Sequence, residues 1–269
     1  MPRYFVVCLL CFFSFKTFAQ LNKRNSAKIS FGTTILAFLT PDTAWLAADT
    51  KLGEVDTDTY DTTYLKQTKI YKNKNTYYGF CGISDFNSTD GLSFEPQIIL
   101  DSLLKNKKSL DEIVHVFNEI SFKKVNGIAN WLYKNSRNEY NNNIGIVLFE
   151  YVLMGYENKK LQCFTMAYEV DSIPIGSDRI KKSKEYFYTG DTTMFFVGYA
   201  KEIREVLANG QYHINIADVK NELPCLIKKE ADLYKTKVGM PEDEFVIYIN
   251  AYNFFKDLEC TKGLTFPKE

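Results

Sequence analysis

The chain has 269 residues, and its 33 lysines and arginines balance 33 aspartates and glutamates. A net charge of zero argues against a nucleic-acid surface or a polybasic membrane patch. Six cysteines are too few for a disulfide framework in a chain of this length.

Arg3, the apolar run from Tyr4 to Phe15 and the small-residue site at Thr17-Phe18-Ala19 read as a secretory signal peptide over residues 1–19, cleaved before Gln20. The run is shorter than the roughly 20 residues that a membrane span needs. Cys8 and Cys11 fall inside it, so their C-x-x-C spelling carries no metal or redox role. Leu9-Leu10 stand where a lipoprotein site has small residues, so a soluble exported protein, secreted or periplasmic, is expected. Residues 20–269 suit one large domain.

Strands come first. Residues 31–39 and 44–49 form a hairpin-like pair around Pro41-Asp42, and 68–72 with 76–81 form another around Asn73-Lys74-Asn75. Between the two pairs, Gly53 to Thr63 is polar, rich in Asp and Thr, and reads as an exposed loop. A helix over 94–105 follows. Ser109-Leu110-Asp111-Glu112 is a capping box, and apolar residues then recur at helical spacing to Leu132. Residues 144–156 and 161–170 make a third hairpin. Short strands at 186–188 and 193–197, helices near 201–207 and 221–235, and a strand at 245–249 complete the chain. Strands, two helices, strands, two helices and a strand is an α+β order with segregated layers.

Metal and cofactor chemistry find no support. His115 and His213 are the only histidines, far apart and without ligand spacing, and no glycine-rich phosphate loop is present. Cys81 and Cys163 read as buried thiols, while Cys225 and Cys260 stay open as a pair. Asn87-Ser88-Thr89 spells an N-glycosylation acceptor.

One stretch carries chemistry. Gly32-Thr33-Thr34 opens an apolar strand, a Thr40-Pro41-Asp42 turn follows, and Ala47-Ala48-Asp49 closes the next strand. Further on, Lys69-Ile70-Tyr71 precedes Tyr78-Gly79-Phe80-Cys81-Gly82. Over about residues 32–86 this order resembles a proteasome β-type subunit, of the N-terminal-nucleophile (Ntn) hydrolase family. The resemblance implies a four-layer αββα sandwich, two stacked antiparallel sheets flanked by helices, in a domain over 33–269. It makes residues 20–32 a short pro-segment cut after Gly32. Thr33 would then be the nucleophile, activated by its own free α-amine. Lys69 would stand beside it and favour the neutral amine. Asp49 would pair with Lys69, and the Gly82 N–H would donate to the developing oxyanion.

Departures from the family pattern fall later in the chain. Tyr199 stands in the slot of a family serine, and Lys235 and Val238 stand where the family has an aspartate and a serine. The reading that follows is an exported threonine-type hydrolase of peptide or amide bonds, needing no cofactor and no metal. A catalytically silent homologue serving as a binding or structural module is the second reading, and a small-molecule amidase the third. A homo-oligomer stays open.

Overall fold

The computed structural model describes residues 25–255 except 33, 42, 50, 60–61, 67–68, 107–108, 158–159, 189, 199, 210–212, 234–244 and 250. The expected signal peptide, the first residues of the expected pro-segment, Thr33, Tyr199, Lys235, Val238 and Cys260 therefore lie outside the described residues.

Two antiparallel sheets are stacked between helices. The larger, of nine strands, follows the order β11 (Asp178–Phe187), β10 (Lys160–Ile175), β9 (Val147–Glu157), β7 (Thr76–Ser88), β1 (Ala27–Gly32), β4 (Lys51–Asp56) and β5 (Thr62–Lys66). The short strands β6 (Ile70–Asn73) and β8 (Ser93–Phe94) also pair with β7. The second sheet runs β12 (Thr193–Gly198), β2 (Thr34–Leu39), β3 (Ala44–Ala48), β13 (Phe245–Ile249) and β14 (Ala251–Phe255).

The side-chain alternation of β2 explains the layering. All of its residues are buried. Ile35, Ala37 and Leu39 pack between the sheets with Cys81, Val152, Met154 and Cys163. Leu36 and Phe38 face the other way, onto Ala200, which flanks α4 (Lys201–Ala208), onto Ile203 within it, and onto Leu223, Leu226 and Ile227 of α5 (Val219–Leu233). A strand covered on both faces has no polar face to show, which is why this segment reads as a continuous apolar run.

On the outer face of the larger sheet lie α1 (Pro96–Lys105), α2 (Leu110–Asn135) and the short α3 (Arg137–Asn142). The helix α2 starts where its capping box predicts: the Ser109 hydroxyl accepts from the Glu112 N–H at 3.3 Å. Its Phe117 meets Tyr151 of β9 edge-on with ring centroids 5.0 Å apart. Phe149, fully buried, touches Phe80, Phe94, Phe117 and Tyr168 in the same aromatic cluster. The result is the expected four-layer αββα arrangement.

Several local expectations change. Gly53 to Thr63 is no loop: β4 and β5 form a hairpin there, with Leu52 buried against the core. The Asp-rich tip misleads because its polarity belongs to the turn, where Asp58 donates its N–H to its neighbour Asp56 Oδ1 at 2.8 Å. Phe31 and Gly32 do not continue β2; they end β1 in the other sheet. Strand β11 is ten residues long rather than three, and its charged sequence is legible only as an edge strand paired with β10. The strand β14 and the helix α3 carry no strong periodic signal.

Phe149→Ala should remove the centre of the aromatic cluster and cost about 3–5 kcal/mol. Equilibrium urea unfolding against the parent chain measures it.

Candidate active site around Asp49 and Lys69

Asp49 stands just past β3 and is buried, as is Lys69, which precedes β6. The Lys69 Nζ donates to Asp49 Oδ1 at 2.5 Å, and both side chains are almost fully withdrawn from solvent. The same Asp49 oxygen accepts from the Thr34 N–H at 3.0 Å, and the Asp49 N–H donates to the Thr34 carbonyl at 3.2 Å. The carboxylate thus ties the first residue of β2 to the lysine. Desolvating two charges is costly and such pairs add little net stability over apolar isosteres. A pair held this deep points to positioning or chemistry rather than to fold strength.

Two glycines let the strands approach. A Cβ on Gly79 would lie 2.5 Å from Ile35 Cδ1 and 2.8 Å from the Lys69 carbonyl oxygen, so any larger residue pushes β7 away from the lysine. Gly82 has φ of +74° and a Cβ there would sit 2.3 Å from the Leu148 carbonyl oxygen. Only glycine takes that backbone without strain. Gly82 pairs with Gly32 across the β1–β7 ladder and with Phe149 across β7–β9.

Of the residues singled out in the sequence, Asp49 and Lys69 are in direct contact, and Gly82 lies three residues along β7 from Gly79, which abuts Lys69. The chain neighbours of Thr33 on either side are anchored: Gly32 opposite Gly82 and Thr34 on Asp49. Cys81 is buried between the sheets, its Sγ 3.3 Å from the Val197 carbonyl oxygen. Burial pushes its thiol well above the ordinary value, with the Lys69 charge opposing the rise and the Glu150 and Asp49 charges adding to it. It is an inert core thiol, and Cys163 behaves likewise because burial raises it too. His115 is exposed and meets Glu119 one helical turn on, at 3.4 Å. No group of three or more metal-ligating side chains occurs among the described residues. None of the described helices is long and apolar enough to cross a membrane.

Sequence reasoning missed a second ion pair, in which the acid is buried and the lysine partly exposed. Glu150 of β9 accepts from Lys184 Nζ at 2.6 Å and from the Gly198 N–H at 2.7 Å, while Lys184 also donates to the Phe196 carbonyl at 2.5 Å. Gly198, at φ of +82°, is the β12 partner of Thr34. The pair therefore secures the end of β12 beside the residue that Asp49 holds. The signal was present: Glu150 is the single acid inside the apolar run from Ile146 to Gly155. Lys184 gave none, standing among Lys181, Lys182 and Glu185. A further buried acid, Glu230, accepts from the Ile203 N–H at 2.9 Å and so occupies an orphan donor at the start of α4.

A cleft of about 370 Å³ opens on the helix side of the larger sheet, lined by Ile29, Gly82, Ile83, Leu132, Glu139 and Leu148. Gly82 is the residue that borders this cleft and also belongs to the predicted site.

Fold and site together define a two-sheet αββα sandwich with a buried Asp–Lys pair at the start of an inner strand. No family model and no curated protein sequence matches the chain. Among solved structures it is similar to Anbu, the ancestral β-subunit, from Yersinia bercovieri, at 12% identity and a TM-score of 0.44, over 84% of this chain and 85% of that one.

Asp49→Asn should leave the Lys69 ammonium buried without this carboxylate and cost about 3–5 kcal/mol, read by thermal and urea unfolding. Cys81 should stay unmodified by iodoacetamide at pH 8 in native buffer and react fully in denaturant, read by peptide mass.

Proposed function

We propose that the chain is an exported N-terminal-nucleophile hydrolase that cleaves peptide or amide bonds with Thr33. The observation that carries the reading is the buried Lys69–Asp49 pair, fastened through Asp49 to Thr34, the residue that follows the nucleophile. A pro-segment over 20–32 and a working portion over 33–269 belong to the same proposal, as does removal of the signal peptide before Gln20.

Maturation comes first. The Thr33 hydroxyl oxygen attacks the Gly32 carbonyl carbon, the bond to the Thr33 nitrogen breaks, and an ester forms with a free amine. Water then hydrolyses the ester to a Gly32 carboxylate and a free Thr33 hydroxyl. In turnover the new α-amine takes the hydroxyl proton; its reference pKa of about 7.7–8.0 suits a general base near neutrality. The Lys69 charge favours the neutral amine and stabilises the deprotonated hydroxyl. Asp49 holds Lys69 in place, and the Gly82 N–H serves the oxyanion. Profiling with peptides and with small amides separates a peptidase from a small-molecule amidase.

A silent homologue is the second reading. It is favoured by Gly32, which ends a fully paired sheet strand rather than a loose leader. Lys235, Val238 and Tyr199 depart from the family pattern in the same direction. N-terminal sequencing of the exported protein decides between the two. A terminus at Thr33 is expected, alone or beside the Gln20 terminus of a retained segment, and active material whose sole terminus is Gln20 would sink the mechanism. Thr33→Ala should retain the signal-cleaved terminus and lower hydrolysis at least about 1000-fold.

A further inference from the structure

We propose that Ala27–Gly32 is a permanent strand of the working protein, kept in the sheet whether its link to Thr33 is intact or cut. The position opposite Gly82 is then held by the chain's own Gly32. The weight of this for catalysis rests on the proposed cut after Gly32; the permanence of the strand does not.

The argument is topological. Strand β1 lies between β7 and β4, with every residue from Ala27 to Gly32 opposite a β7 partner and Lys28 to Phe31 also opposite β4. Among the described strands, β4 and β5 reach the rest of the sheet only through β1. Whether a cut segment is readily lost follows from the burial and hydrogen bonding of its backbone. This one is fastened at its far end as well. The Ser26 N–H donates to Thr89 Oγ1 at 3.1 Å, and the Thr89 N–H donates to the Ser26 carbonyl at 2.9 Å. Ala27 and Thr57 exchange two such bonds, at 2.8 and 2.9 Å. Ala27 and Ser30 are buried, and Ile29 packs on the core beneath the helices.

Hydrolysis of the bond after Gly32 adds one water across it and removes none of these partners. Loss of the strand, by contrast, would bare the facing edges of β7 and β4 together, each with unpaired N–H and C=O groups. The cut segment therefore stays. Its new Gly32 carboxylate remains level with Gly82, and an acyl group from a substrate reaches that level only by displacing it. The end of the retained strand therefore competes with a substrate acyl group for the position opposite Gly82, while Ala27 to Phe31 stay paired with β7.

The test takes the purified exported chain through denaturing mass, native mass and amide hydrogen exchange. The expected result is a cut at Gly32–Thr33 under denaturing conditions, a native particle that still carries the short segment, and amides of 27–32 exchanging at least about 100-fold slower than an unstructured peptide. A cut chain that has lost the segment while keeping its fold overturns the inference and leaves the hydrolase reading standing. An uncut chain with protected 27–32 amides supports the permanent strand and removes the proposed maturation instead. Unprotected 27–32 amides in a folded protein, cut or uncut, overturn the inference.

Discussion

The buried contact between Lys69 and Asp49 is the constraint around which the rest is arranged. A charged pair without solvent needs backbone partners as well as each other. Asp49 finds them in Thr34, one strand over in the same sheet. Lys69 reaches it from the segment leading into β6, which belongs to the opposite sheet. The pair thus bridges the two sheets, and its geometry exists only when they are stacked in this register. Gly79 matters for the same reason: the lysine backbone comes so near that no side chain fits there.

The second pair, Glu150 with Lys184, repeats the device from the other direction. Along β9 the residues Phe149, Tyr151 and Leu153 turn to the helices, while Val152 and Met154 turn to the sheet interface. Alternation puts Glu150 on the interface side. There it holds the amide of Gly198 in β12, the strand that pairs with β2. Thr34 is consequently fixed on both flanks, by Asp49 on β3's side and by the Gly198 end of β12 on the other. The Cys81 thiol feels all four charges, which shows how closely the two pairs are set.

Strand β1 gives the larger sheet its continuity. It joins β4 and β5 to β7, and it ends at Gly32 opposite Gly82. Between Gly32 and Thr34 the chain passes from one sheet to the other. The crossing therefore falls where the site is, and the functional question of what happens at that bond is also a question about how the sheet is built.

The sequence by itself determined the α+β order, the cap of α2 at Ser109 and the buried runs of β2, β7 and β9, while the candidate set Thr33, Asp49, Lys69 and Gly82 came from the family resemblance. Periodicity and capping are local, so they survive without coordinates. It could not show that Phe31 and Gly32 belong to a different sheet from Thr34, because a strand-to-strand crossing has no local signature when both sides are extended. It read Gly53 to Thr63 as a loop because the polar tip of the β4–β5 hairpin outweighed a few strand residues whose pairing is non-local. Tertiary structure alone decided that Glu150 meets Lys184 and that both pairs converge on Thr34. A charged residue in a strand looks the same whether it is solvated or buried, and only the partner brought to it from a distant strand settles which.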